Sequence, residues 1–382
     1  MLFVFFFSFF VTFGIKVDES RKISKIAFGS CTNQFIGNNP EIYYSIIKFR
    51  PDLFVWVGDV IYADLFRFPF RYPNPDLKAW NSKYETLKSS DEYQALSATS
   101  MITGVWDDHD YGINNGGKSF ANKTLAKTLF LNFIDDGSIR DHEGIYHSFS
   151  FKDLKLILLD IRWFRDDKDV NGDSLGEEQW AWLENQLGSK EKIKIIANGL
   201  QVNTFDRIGP AEKWHDKSRL RLWELVSKYK GILLLSGDVH YAEILKVHCA
   251  KYPIIEFTSS GMGHSVYTTY SWISWFILNF FQAFNFNVGP KFGWKNFGSI
   301  EIDWERGEIE LGIRDTYGTV QNSYKFSIDE LYSELKGDPI CNAGVFKLKL
   351  LHFVAVLCVL GSPLILLTLS GLIFIRKYTN SY

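Results

Sequence analysis

Val55-Trp-Val-Gly58-Asp59-Val-Ile-Tyr62-Ala-Asp64 runs apolar as far as Gly58 and then presents a carboxylate, a phenol three residues on, and a second carboxylate. A continuous apolar run marks a strand covered on both faces, as in a layered α/β protein, and ligands collect at the carboxyl ends of such strands. Asp59 and Tyr62 are therefore expected at a strand end. Two other stretches are built alike. Gly104-Val-Trp106-Asp107-Asp108-His109-Asp110-Tyr111-Gly112 carries the end of a short strand expected over Met101-Ile-Thr-Gly-Val-Trp106, and Ile232-Leu-Leu-Leu-Ser-Gly237-Asp238-Val239-His240 repeats strand, glycine, aspartate, histidine. Acidic runs are usually solvated loops, but one that follows an apolar strand and contains a histidine points to a site.

The rest of the chain supplies further strand ends. Lys22-Ile-Ser-Lys-Ile-Ala-Phe-Gly29-Ser-Cys31 is expected as the first strand, which puts Cys31 on the same sheet edge as Asp59. An inert buried thiol and a metal ligand are both compatible with that position. Helical spacing over Pro40 to Phe49 leads into the strand at Asp59, a unit that implies a right-handed parallel crossover. Residues 66–100 open with a Pro-rich excursion of the kind that shapes a substrate mouth and continue as a polar helix from Asn81 to Ser97. A helix is expected over Ala121 to Phe133, and a hairpin over Ile145 to Asp160. Arg162 and Arg165 follow, either to clamp phosphate oxygens or to pair with Asp160, Asp166 or Asp167. A capped helix is expected over 174–188. The strand Lys192 to Ala197 ends in Asn198 and Gln201, amides able to complete a metal shell or bind an oxyanion, and residues 295–328 alternate as antiparallel strands.

A chain of 382 residues without a Gly/Ser/Pro-rich linker favours one large domain, placed at 22–328. Lys plus Arg number 42 against 44 Asp plus Glu, so no basic excess argues for a nucleic-acid partner. The apolar start, 1–16, has the size of a signal peptide, with an uncleaved anchor as the alternative. A polar stalk, 329–348, an apolar run over 349–375 and a basic tail, 376–382, predict a transmembrane helix and a single-pass type I protein whose catalytic domain is lumenal or extracellular. The aromatic stretch 270–284 suits either an interfacial helix or a buried one. In an oxidising compartment, Cys31 as a metal ligand would leave Cys249 and Cys341 to pair, and Asn122-Lys-Thr124 is a glycosylation sequon.

Phosphate esters repel hydroxide, and paired cations overcome this by neutralising the ester oxygens and acidifying water. Asp59 is the natural carboxylate to share between two ions. Cys31, Tyr62 and His240 suit a transition ion, whereas Asp108 and Asp238 suit a hard cation. The ordered set Phe28-Gly-Ser-Cys31, Gly58-Asp-Val-Ile-Tyr62-Ala-Asp64, Trp106-Asp-Asp-His-Asp-Tyr-Gly112, Leu159-Asp-Ile-Arg162 and Gly237-Asp-Val-His240-Tyr-Ala-Glu243 resembles the alkaline phosphatase D-like (PhoD-like) branch of the calcineurin-like metallophosphatases. The resemblance implies a four-layer α/β/β/α sandwich, hydrolysis of phosphomonoesters or diesters, and a dinuclear or trinuclear centre of iron plus calcium. Its ligands here would be Cys31, Asp59, Tyr62, Asp108, Asp238 and His240, with Asp107 beside them. Asp108, rather than Asp107, is assigned as ligand by matching Asp108-His109-Asp110 to the Asn-His-Asp/Glu motif of the wider superfamily. The expected reaction is in-line attack on phosphorus by a hydroxide held on the metals, with His109 stabilising the transition state or protonating the leaving oxygen. A membrane-tethered phosphoester binder without turnover and a membrane-lipid phosphodiesterase are the competing readings.

Overall fold

The computed structural model describes residues 14–32, 40–64, 75–138, 141–167, 172–203, 212–247, 251–269 and 287–335. Strands β1 (Lys25–Gly29), β2 (Leu53–Val57) and β3 (Met101–Val105) are parallel, and a C-terminal meander of β10 (Asn296–Asp303), β11 (Glu308–Asp315) and β12 (Val320–Ser327) extends them in the order β12-β11-β10-β1-β2-β3. The second sheet has the order β4-β5-β6-β7-β9-β8. Its parallel centre is β5 (Leu154–Leu158), β6 (Ile193–Ala197), β7 (Ile232–Ser236) and β9 (Ile254–Ser259). The edge strands β4 (His147–Phe151) and β8 (Ala242–Val247) run antiparallel.

Strand periodicity sorts the side chains into layers. On β5 to β7, Leu156, Leu158, Ile195, Leu233 and Leu235 join the same buried cluster as the first sheet. Their neighbours Ile157, Ile196 and Leu234 pack outward on α6 (Glu177–Leu187) and α7 (Asp216–Val226). On the first sheet, Phe28 meets Phe257 of β9 edge-on at 4.8 Å, facing inward. Trp56, one residue out of that register, stacks on Tyr93 of α3 (Asp91–Thr99), and Tyr93 meets Tyr43 of α1 (Pro40–Phe49). Two mixed sheets thus face each other with helices outside both.

The helix expected over 81–97 is two helices, α2 (Leu77–Lys88) and α3, because Ser89-Ser90 offers a cap: the Ser90 hydroxyl accepts from Tyr93 N at 3.4 Å, and Asp91 and Glu92 fill the first turn. The start of the expected stalk is docked instead of free. Ile328 and Leu331 are buried, Gly231 N donates to Leu331 O at 3.2 Å, and the Tyr332 hydroxyl donates to Lys192 O at 2.6 Å.

The expected type I topology is corrected here, since no helix among the described residues is long and apolar enough to cross a membrane. The run 349–375, the tail, the stretch 270–284, residues 1–13, and Cys249 and Cys341 lie outside the described residues. Among the described cysteines, Cys31 carries a free, buried thiol. Asn122 sits half-buried at the start of α5 (Lys123–Ile134).

Candidate metal centre

The ends of β1, β2, β3, β6 and β7 converge where the two sheets meet. After β2 the chain turns through Gly58 at φ 90° and Asp59 at φ 48°. A side chain at Gly58 would collide with Asp107, its Cβ lying 2.5 Å from the Asp107 Cβ, so only glycine lets the ends of β2 and β3 come this close. Gly199, after β6, is held to the same limit: a Cβ there would lie 2.5 Å from the Asp107 Cγ. Four of the seven described non-glycine residues with positive φ are Cys31, Asp59, Asp238 and His240. Left-handed backbone at such residues costs on the order of 1 kcal/mol or more each and persists where surrounding structure enforces it, commonly at functional sites.

Cys31, Asp59 and His240 bring one ligand atom each within 4.8 Å of one another, and Asp59, Asp108 and His109 form a second such group. Asp59 belongs to both. Its Oδ2 lies 3.3 Å from Cys31 Sγ, whereas its buried Oδ1 has no hydrogen-bond partner. A buried carboxylate oxygen left without a donor is costly, and a cation is the partner that removes the cost. Tyr62 joins the first group, its hydroxyl 3.2 Å from His240 Nε2. Asp238 is near enough for its charge to bear on both Cys31 and Asp107.

Asp110 locks the loops together by accepting from Val60 N at 3.2 Å, Ile61 N at 3.0 Å and the Tyr84 hydroxyl at 3.2 Å. Asp108 opens the short helix α4 (Asp108–Tyr111), accepting from His109 N at 2.9 Å and Asn115 N at 2.7 Å. Burial would raise its carboxyl, but His109, Arg162 and those N–H donors outweigh burial and hold it at about 2. Burial alone would lower His109. Asp108, together with Asp64 at 2.5 Å from Nδ1, raises it instead to about 9, and its ring stacks on Tyr62 at 4.1 Å. Burial pushes the Cys31 thiol up to about 12. It also drives the Asp59 carboxyl well above the usual range, helped by Cys31, Asp108, Asp107 and Asp110, and raises the Tyr62 phenol in the same way. Groups forced toward neutrality by crowding and burial are those that a bound cation would return to their charged, ligating forms. The donor set therefore fits a multi-metal centre.

Other expected site residues have partners within the protein. Arg162 is wholly buried and does not present its guanidinium as a phosphate clamp: it reaches Asp107 at 2.5 Å and Glu212 at 2.8 Å, and Arg165 reaches Glu212 at 3.0 Å. Neither arginine takes its expected local partners Asp160, Asp166 or Asp167 in these ion pairs. The Asn198 carbonyl accepts from Trp214 Nε1 at 3.0 Å and Leu200 N at 3.2 Å, both of its lone pairs committed within the protein. Gln201 donates to Glu243 and to Thr258, each at 2.7 Å, bracing β8 against β9. Asp64, Glu212, Ser260 and His264 had not been singled out as site residues. For His264 a signal existed, since Gly261-Met-Gly-His264 follows a strand as Gly237-Asp-Val-His240 does.

A family model of PhoD-like phosphatases matches residues 26–312. The chain belongs to that family. The PhoD-like phosphatases are phosphoester hydrolases, and the enzyme class follows with the membership. Its fold is similar to a solved structure described as PhoD, with a TM-score of 0.64 at 17% identity over 84% of this chain and 74% of that one. It is also similar to the purple acid phosphatase PPD1 from yellow lupin (Lupinus luteus) seeds, with a TM-score of 0.55 at 12% identity over 85% of this chain and 58% of that one. No curated protein matches the chain by sequence. At such identities the structural likeness carries the fold, and the PhoD-like assignment rests on the family match.

Proposed function

We propose that this PhoD-like phosphatase hydrolyses phosphomonoesters or diesters at a centre of at least two metals that share Asp59. The observation that carries the reading is Asp59 itself, common to both donor groups and with one buried oxygen lacking a hydrogen-bond donor. Cys31, Tyr62 and His240 would supply sulfur, phenolate and imidazole to an iron-type ion, and Asp108 and Asp238 would supply hard oxygens to a calcium-type ion. When bound, such cations neutralise the phosphoryl oxygens and acidify water.

The chain's own residues do the rest. Asp59 and Asp108 would hold the cations that draw the phosphoryl group to the site. His109 is buried beside the site, where Asp108 and Asp64 favour its protonated form and Asp64 fixes the ring through Nδ1. It is placed to hand that proton to a departing alkoxide. Arg162 does not touch substrate but holds Asp107 against the ends of β2 and β6.

Metal analysis of the isolated protein, combined with hydrolysis of p-nitrophenyl phosphate and bis-p-nitrophenyl phosphate, tests the reading. At least two bound ions per chain are expected, with turnover of one or both esters that chelation abolishes. Stoichiometric metal without turnover would favour a binder. A second measurement isolates His109. His109→Ala should cost roughly 10²- to 10⁴-fold with an alkyl phosphate, whose leaving group needs a proton, and far less with a p-nitrophenyl ester, whose leaving group does not. Equal losses on both esters would show that His109 is not the acid.

A further inference from the structure

We propose that the loop following β9 tunes the sulfur- and phenol-bearing half of the centre, with Ser260 donating a hydrogen bond to the Cys31 sulfur and His264 to the Tyr62 oxygen. The proposal rests on the metal-centre reading above and extends it to two positioning residues. This loop clasps both sheets: Met262 N donates to Ser30 O at 3.1 Å, Gly263 N and His264 N donate to Cys31 O at 3.0 and 2.8 Å, and Val266 N donates to His240 O at 2.7 Å. It therefore ties the end of β1 to the end of β7, the two elements that deliver Cys31 and His240. Ser260 is fully buried and His264 is only 8% exposed, so neither contact competes with bulk water.

The direction of each hydrogen bond follows from what the atoms can donate. His240 N–H donates to Ser260 Oγ at 2.8 Å, which fills an acceptor position on that oxygen and leaves its own proton for Cys31 Sγ, 3.1 Å away. The Tyr62 oxygen lies between two imidazoles, 3.2 Å from His240 Nε2 and 3.1 Å from His264 Nδ1. A phenol has one proton and a phenolate none. With Tyr62 and His240 both serving as ligands, the phenolate accepts, so His264 carries its proton on Nδ1. The His264 ring is held in plane for this by stacking on His240 at a centroid distance of 3.8 Å. Hydrogen bonds to a ligand sulfur or oxygen withdraw electron density from it, and such outer partners tune a metal's potential and affinity.

The test uses the full chain loaded with ferric ion, read by its visible charge-transfer absorption, its reduction potential and its iron content. Removing a donor raises the energy of the ligand lone pair. His264→Phe should therefore move the phenolate-to-iron band to longer wavelength at unchanged iron content, and His264→Gln, which restores an N–H donor, should move it back. Ser260→Ala should lower the reduction potential and shift the sulfur-to-iron absorption in the same direction. Bands and potentials that stay at wild-type values in iron-replete variants would overturn the inference while leaving the metal centre intact. A wild-type protein that holds no ferric ion, or holds it without a phenolate band, would overturn the ligand assignment and this inference with it. Ser260→Ala removes little volume, and His264→Leu, close to the imidazole in size and equally without a donor, carries the Tyr62 half of the comparison if His264→Phe does not fold.

Discussion

Asp59→Asn should lower metal content below two ions per chain and reduce kcat/KM by roughly a thousandfold or more. The size follows from the shared position: losing a bridging carboxylate weakens both ions, and cations at a phosphoryl group supply several kcal/mol of transition-state stabilisation, each ~1.4 kcal/mol being tenfold in rate. The metal-free fold should not suffer. Burial, and then the charges of Cys31, Asp108, Asp107 and Asp110, push the Asp59 carboxyl well above its usual range, so a neutral amide suits the empty pocket at least as well. The sign of the pH dependence follows. A carboxyl whose folded pKa lies above its unfolded value of about 3.9 gives stability that is present below that value and lost as pH rises. Chelated wild type should therefore lose thermal stability between pH 5 and pH 8 by more than chelated Asp59→Asn does. Adding cations should raise the midpoint of the wild type and leave that of the variant almost unchanged. A variant that still gains stability from cations and turns over at the wild-type rate would remove Asp59 from the centre.

What could be foreseen in the chain tracks how local the controlling forces are. Asp59, Asp238 and His240 follow apolar runs and glycines, a pattern written within ten residues, and the left-handed backbone at all three is a property of those same turns. The strands themselves are continuous apolar runs because both faces are covered, which is why the two-sheet core was legible. His109 and Asp64 were each visible in a motif, yet their contact spans 45 residues and depends on how β2 and β3 pair. Arg162 shows the same dependence in a sharper form. Its expected partners were sequence neighbours, whereas the real ones, Asp107 and Glu212, lie 55 and 50 residues away on segments brought together only by the sandwich. Asn198 and Gln201 also end or follow a strand as Asp59 and Asp238 do, but Trp214 and Glu243 claim their side chains from a distance. Residue type at a strand end marks the neighbourhood of the site, and the surrounding packing decides which side chains face it.

Arg162→Met should be strongly destabilising, because it removes the shared partner of two buried carboxylates. Burial disfavours the guanidinium's charge, but Asp107 and Glu212 outweigh burial and hold it protonated, and the one guanidinium serves both carboxylates. Replacing it with an apolar side chain of similar length keeps much of the volume and leaves two buried carboxylates competing for Arg165. Removing one partner of a buried ion pair costs about 3–5 kcal/mol, because an uncompensated charge remains in a low-dielectric interior. Arg162→Lys should recover only part of the loss, since an ammonium cannot reach Asp107 and Glu212 together as the planar fork does. If the loss arises from the stranded carboxylates, adding Asp107→Asn to Arg162→Met should restore stability relative to Arg162→Met alone, a coupling that independent sites would not show. Denaturant unfolding of the chelated protein measures all three variants without interference from turnover. The competing role, a guanidinium that clamps substrate phosphate, makes the opposite forecast: a raised KM with stability within about 0.5 kcal/mol of wild type, as for a substitution that breaks no buried network. That outcome would return Arg162 to the substrate side of the site.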